Sequence, residues 1–418
     1  MLPYNVVVVG GGPAGMAAAW RAAQSVRRVA LVEKNAALGR KLGLTGKGRC
    51  NLTNDTPIET HLEAFGRNGV FLRNAYSRFF VPELKSFLVA LGVSLKTERQ
   101  ARVFPASDSS RSVVDALVRA LEDSRVEVFR KTAVERISVA GEDLKQVHLD
   151  NGAVLPARRV IIATGGLSYP ETGSTGDGYR FAEALGHAVE PLEPALVPLR
   201  TKERWVRGCA GLTLFPVRLA FAVGPKKFLT PIGELLVTHF GVSGPLVLNI
   251  SGSLSAALKE RPVVLRVDLK PGLDAAKLDD RLRRNFAACG SKAIKNYLSG
   301  LLPKKLIGPF LSAAGLDGEK KCHQVTVPER RRVIETLKAL PLTVVGTLGL
   351  REAMVTQGGI SLKEIDPRTC ASRKVPGVYF CGEVLDLAAT TGGFNLQAAF
   401  STGYVAGEAA AAKISSTS

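Results

Sequence analysis

Four consecutive valines, Val6 to Val9, run into Gly10-Gly11-Gly12-Pro13-Ala14-Gly15, and an alanine-rich stretch follows from Met16 to Ala23. A short, unbroken apolar run bounded by glycines reads as a strand buried on both faces, and the alanines after it read as a helix. A second apolar run, Val29 to Val32, ends in Glu33. Strand, glycine turn, helix, strand and terminal acid together are the opening of a dinucleotide-binding unit. In such a unit Gly10 permits the tight turn, Gly12 lets the backbone approach a pyrophosphate, and Gly15 lets helix and strand pack closely. Pro13 and Ala14 stand at the helix start, where unpaired N–H groups favour an anion. Glu33 lies near the usual offset of about 20 residues, placed to accept hydrogen bonds from ribose hydroxyls. This motif alone leaves FAD and NAD(P) both open.

Downstream, the pattern predicts helices over 74–91 and 109–122 and strands over Val126–Phe129, Ala133–Val139 and Lys145–Leu149, with turns at 141–143 and 150–152. Leu38 to Asn54 is too rich in glycine and cations for an element interior and reads as a loop whose amides and basic side chains reach phosphates. Arg40, Lys41, Asn51 and Leu52 are therefore candidate cofactor contacts, and Lys34, after Glu33, and Val134, in the Ala133–Val139 strand, join the set. Val160 to Gly166 is another buried strand, and its end, Ala163-Thr164-Gly165, brings the chain back beneath the dinucleotide. Gly173 to Gly178 precedes a helix over 179–185, with Asp177 read either as its cap or as a substrate-facing group.

From about Pro191 the texture changes to frequent prolines, short strands (Leu212–Ala222, Leu235–Val237, Val263–Leu269) and basic helices over about 274–338. Glycine-rich strand ends return near Leu342, with Gly377 to Glu383 and then Thr391 to Gln397 opening a last alanine-rich helix over 395–410. The expected division is 1–193, an inserted β-rich and helical domain over 194–343, and 344–418 completing the first. The late return favours FAD. Glu383, after Gly382, stands where a ribityl chain seeks an acid, and the final helix start would stabilise charge on a flavin pyrimidine edge. Asp386, Gly393, Phe394, Asn395 and Leu396 complete the candidate cofactor set.

Charge adds a partner. Lys and Arg number 56 against 37 Asp and Glu, a net of +19, with most basic clusters between residues 195 and 335. Such a balance favours polyanions, nucleic acid or an anionic membrane surface. Six scattered cysteines without a CxxC pair and only five histidines argue against a metal site and for a reducing, cytoplasmic setting. No apolar stretch reaches membrane-spanning length, and the first strand accounts for the apolar start without a signal peptide.

Several segments carry a resemblance: GRKLGLTGKGRCNLTN (39–54), RVFPASDSS (102–110), IIATGGLSYPETGSTGDGY (161–179), THFGVSGP (238–245), MVTQGGISLKEIDPRT (354–369), GVYFCGEVLD (377–386) and GGFNLQ (392–397). Together they resemble the BaiN/RdsA family of FAD-dependent flavoproteins over nearly the whole chain. The resemblance implies an α/β fold in which a split Rossmann-like FAD-binding domain of three layers, ββα, is interrupted by an inserted β-barrel-like domain with a helical portion. It further implies an NAD(P)H-driven flavoenzyme, with reduction of a uridine of large-subunit ribosomal RNA to dihydrouridine as the expected activity. Cys50 and His239, both in family-specific segments, are the candidate proton donors. Two departures stand out: Leu387 to Thr391 replaces a polar Asp-Gly segment with Phe394 in place of Tyr, which lies beside the expected flavin face and bears on the substrate, and Cys370 to Lys374 departs from the usual form. The alternative is a small-molecule flavin oxidoreductase, an amine oxidase or a reductase of an activated alkene.

Overall fold

The computed structural model describes residues 2–141 and 143–415, so Glu142 of the expected 141–143 turn lies outside the described residues. Contacts divide the chain into two units, 1–193 with 353–418, and 194–352.

In the first unit, β1 (Tyr4–Val9) pairs in parallel with β2 (Val29–Glu33), which pairs with β3 (Glu127–Arg130). The meander β4 (Val134–Val139), β5 (Lys145–Leu149) and β6 (Val154–Ile162) is antiparallel, and the far half of β6 runs parallel to β1. The strand Val378–Phe380 adds to the other side of β6, with Phe380 opposite Ile162 and Ile162 opposite Val9. Five parallel strands thus end along one edge, where open α/β sheets bind ligands.

Alternation along these strands sets the layers. Val6, Val8, Leu31, Ile161 and Tyr379 share a core with α1 (Pro13–Ala23) and the last helix, Phe394–Ser415. Val7, Val9, Val32, Val160, Ile162 and Phe380 pack on the opposite side with the meander residues Val134, Ile137 and Val147. The two helices approach at backbone distance. A Cβ built on Gly403 would lie 2.2 Å from the Ala14 carbonyl oxygen, and one on Gly407 equally near that of Ala18. Only glycine fits either position.

Two local expectations need correction. The 74–91 helix is two helices, Arg73–Arg78 and Val81–Ala90, broken where Phe79 is extended and Phe80 caps a helix with Pro82 in its first turn. The 38–54 stretch is not all loop: Gly39, left-handed at φ 67°, starts a short helix, Arg40–Leu44, that buries Leu42. A tight turn follows, and Thr53–Asn54 forms a short strand.

The second unit is a ring. Its strands are β7 (Leu199–Thr201), β8 (Thr213–Val223), β9 (Lys226–Leu229), β10 (Gly233–Val237), β11 (Gly241–Ser243), β12 (Val263–Asp268) and β13 (Leu340–Thr347). Antiparallel pairing runs β8-β10-β11-β7-β13-β12 and closes from β12 back to β8, with β9 a flap on β8. Closure leaves no open edge among the six ring strands. The boundary expected at 343/344 falls inside β13, whose pairing with β7 and β12 holds it in this unit. Helices between Ala275 and Ala339 carry Leu278, Leu282, Phe310, Val333 and Leu337 into the ring's core.

Candidate active site

The glycine turn is built as a phosphate cradle. Gly10 N–H donates to the Val32 carbonyl at 2.8 Å, and with φ at 107° a Cβ there would lie 2.5 Å from Ala163 O. On Gly15 it would lie 1.8 Å from Gly10 O, whereas on Gly12 it would meet nothing within 4 Å. The one glycine with space before it is therefore the one that should face a ligand. The first turn of α1, with Pro13, Ala14 and Gly15, has no side-chain cap and no acid. Its N–H groups point into that space with the positive end of the dipole.

Glu33 orders the neighbouring loop. One carboxylate oxygen accepts from Gly11 N at 2.8 Å, and the other accepts from Asn35 N at 2.8 Å and Asn35 Nδ2 at 2.6 Å. Val134 lies alongside, because Lys131 and Thr132 donate to the carbonyls of Asn35 and Glu33. Three of the cations expected to contact the cofactor also have protein partners. Lys34 pairs with Asp177 at 2.6 Å, and Arg40 donates to Asn35 Oδ1 at 2.7 Å. Lys41 Nζ lies 2.6 Å from Glu383 Oε2 and also donates to Ser168. Asp177 is not the helix cap, since Gly176 holds that place in the left-handed region, and pairing with Lys34 keeps its carboxyl below the usual range against the opposing effect of burial.

Glu383 is the hub. Its Oε1 accepts from Ser168 Oγ at 2.8 Å and Thr356 N at 2.9 Å. Gly382, at φ 76°, brings this turn to α1: a Cβ there would be 2.7 Å from that of Ala14. Ala163 N donates to Val9 O at 2.8 Å, Gly165 turns with φ 74°, and the buried Thr164 Oγ1 has no protein partner. Asp386 accepts from Asn68 at 2.8 Å, and burial raises its carboxyl.

A third wall joins residues 50–54 to the last helix. Gly393, at φ 105°, lies so close to Thr53 that a Cβ would fall 2.5 Å from its carbonyl carbon. Asn54 Nδ2 donates to Gly392 O at 3.1 Å. Asn51 Oδ1 and Thr53 Oγ1 are buried without protein partners, and Leu52 is fully buried. Phe394 is buried edge-on to His61, and Leu396 is half-buried. Asn395 uses its side chain to bridge Ala389, accepting at 2.9 Å and donating at 3.1 Å.

Neither candidate donor gains support from its surroundings. Cys50 has no exposed surface and packs in the core, out of reach of a substrate proton acceptor, and burial pushes its thiol up to about 12. Its reading as an acid is corrected on that ground. His239 lies exposed in the turn between β10 and β11 of the ring unit, edge-on to Phe240. Sequence reasoning missed Ser168, Thr356, Asn68 and His61. Ser168 and Thr356 lie inside two of the distinctive segments, whereas nothing in the sequence marks His61.

A dinucleotide flavin fits these residues. The open cradle at Gly12, the uncapped helix start and the orphaned oxygens of Asn51, Thr53 and Thr164 are what such a ligand would complete. Fold and site together define an FAD-dependent oxidoreductase with a Rossmann-type core. Residues 4–409 match the family described as the HI0933-like protein Rossmann domain, and the chain belongs to it. It is 32% identical over 410 residues to a 3-dehydro-bile acid delta(4,6)-reductase of Clostridium scindens, spanning 97% of this chain and 99% of that protein. It is also 32% identical over 402 residues to a ribosomal RNA dihydrouridine synthase of Escherichia coli, spanning 96% of each. A 3-ketosteroid delta1-dehydrogenase structure from Sterolibacterium denitrificans shares the fold with a TM-score of 0.53 at 16% identity, over 99% of this chain and 100% of that one. Among the described residues no helix is long and apolar enough to cross a membrane.

Proposed function

We propose that this protein reduces a uridine in large-subunit ribosomal RNA to dihydrouridine, using NAD(P)H as the electron source, and works in the cytoplasm. The observation that carries this reading is where the charge lies. Residues 194–352 hold 26 Lys and Arg against 12 Asp and Glu, so this unit accounts for +14 of the net +19. A reductase of small neutral molecules needs no such field, whereas a polyanion is drawn by it.

When bound, FAD supplies a hydride for C6 of the uracil ring, and C5 gains a proton from an acid or water. The chain's own residues do the rest. Gly12 and the α1 amides hold the pyrophosphate, Glu33 the adenosine ribose, and Thr164 with Glu383 the ribityl hydroxyls. The first-turn amides at Phe394, Asn395 and Leu396 offset negative charge at the pyrimidine edge. The target base must leave its stack to reach this edge, which suits a single-stranded or loop uridine.

A second reading is reduction of an activated alkene in a small acid or steroid. It is favoured by the apolar Leu387 to Thr391 segment, whose Leu387 and Ala389 are buried beside the Asn395 bridge. Incubating the holoenzyme with unmodified ribosomal RNA and NADPH or NADH, then mapping dihydrouridine by mass spectrometry, separates the two. Nucleotide oxidation that needs RNA and yields one modified position supports the first. Oxidation driven by an enone with RNA unchanged overturns it.

A further inference from the structure

The ring unit holds a cavity of about 300 Å³ whose lining includes Phe215, Lys270, Leu273, Leu301 and Pro303. That volume is at the small end of ligand sites. Strand β8 pairs with β10 at Thr213 and Leu214 and again at Val217, with an irregularity between them. Phe215 lies in that irregularity and is 71% exposed. Bulges commonly re-aim a side chain in this way. An aromatic ring left so open beside a cavity has no packing role to explain it.

The rim is basic. No carboxylate among the described residues pairs with the Lys270 ammonium, and burial, then the charge of Arg281, holds its pKa below the ordinary value. An arriving anion would relieve both effects. Lys304 and Lys305 follow Pro303 directly and are exposed, Lys305 reaching the Ala210 carbonyl at 3.5 Å.

We infer that this cavity is a base pocket for single-stranded RNA, in which one unstacked base lies against Phe215 while Lys270 and Lys304 hold the adjoining phosphates. The inference rests on the RNA reading above and adds where the ring unit grips the strand. Aromatic ring and cations together fit a nucleotide better than either a bare phosphate, which needs no ring, or an apolar peptide, which gains nothing from the cations. A paired duplex would not offer its base faces to the ring.

The test is binding of the holoenzyme to a short dye-labelled oligouridine by fluorescence anisotropy across a salt series. Phe215→Ala should weaken oligouridine about tenfold and leave inorganic polyphosphate unchanged, because one stacked base is lost. Phe215→Trp should retain the affinity. Lys270→Gln and Lys304→Gln should each reduce the salt dependence by about one phosphate contact. Flavin absorbance and the unfolding midpoint confirm that each variant is folded, and Lys304, being exposed, gives a variant with little risk to the core. Unchanged oligouridine binding in Phe215→Ala and Lys304→Gln, with the parent protein still binding and reducing RNA, overturns the pocket alone. A parent protein that neither binds nor modifies RNA overturns the functional reading as well.

Discussion

Lys41 Nζ and Glu383 Oε2 lie 2.6 Å apart, joining a short helix near the start of the chain to a strand end 342 residues later. The pair is about four-fifths buried on each side and is fixed by Ser168 and the Thr356 amide. It stitches the two sequence segments of the first unit at the edge where the cofactor binds.

Removing either partner leaves a mostly buried charge with its hydrogen bonds incomplete. Lys41→Met and Glu383→Gln should each lower stability by about 1–3 kcal/mol. The double variant should lose less than the sum of the two, with a coupling of about 1 kcal/mol or more. Urea unfolding of all four proteins in a double-mutant cycle measures this. Strict additivity would show that the contact contributes nothing of its own.

Gly12 and Gly15 should fail in different ways when changed to alanine. The Gly12 methyl enters open space, so the apoprotein should unfold at the same urea concentration while FAD affinity falls at least tenfold. The Gly15 methyl meets Gly10 O at 1.8 Å, so that variant should itself be destabilised by about 1–3 kcal/mol or more. Flavin fluorescence titration beside unfolding curves resolves the two. Equal stability losses would contradict the assignment of Gly12 as the ligand-facing position.

Acid should weaken the fold through histidine before it reaches the carboxylates. Burial lowers the pKa of both His61 and His187, with a hydrogen bond to Asn54 O opposing it at the first and Glu364 opposing it at the second. Below the unfolded value of about 6.5 the unfolded chain therefore binds more protons than the folded one. Stability should be flat above that pH and fall below it, down to the folded pKa values. His61→Gln should flatten part of the slope below about pH 6.5, as read from unfolding midpoints. A slope identical in the variant would place the titration elsewhere.

If RNA is the partner, its affinity should fall steeply with salt, by about a factor of 10³ or more between 50 and 200 mM for six or more phosphate contacts. FAD affinity should change far less over the same range. Salt-insensitive RNA binding would remove the ring unit's +14 as the cause of association.

Much of the first unit can be read directly from the sequence, because buried parallel strands are unbroken apolar runs. Val6–Val9, Val29–Val32 and Val160–Ile162 announce themselves, and the glycines at their ends mark the binding edge. In the ring unit the expected strands Leu212–Ala222, Leu235–Val237 and Val263–Leu269 match β8, β10 and β12, whereas the short β7, β9 and β11 and the closure that gives the ring its core were not legible. The helix break at Phe79–Phe80 was hidden because apolar spacing continues through it. Side-chain partnership was the least legible part. Lys34, Arg40 and Lys41 read as cofactor contacts by residue type; Lys34 and Lys41 also meet acids brought from elsewhere in the chain, and Arg40 meets the nearby Asn35. Cys50 looked reactive within its motif, and only the fold shows that its thiol is enclosed.

The split of the first unit has a consequence for biogenesis. Residues 194–352 form a contiguous segment and can assemble as soon as they leave the ribosome, whereas β6 waits for Val378–Phe380 and α1 waits for Gly403 and Gly407. At translation rates of about 5–20 residues per second, that delay lasts about 20–70 seconds after the first strand emerges. A nascent chain halted after the ring would carry its cationic surface while still lacking Glu383 and the Gly393 wall of the candidate flavin site.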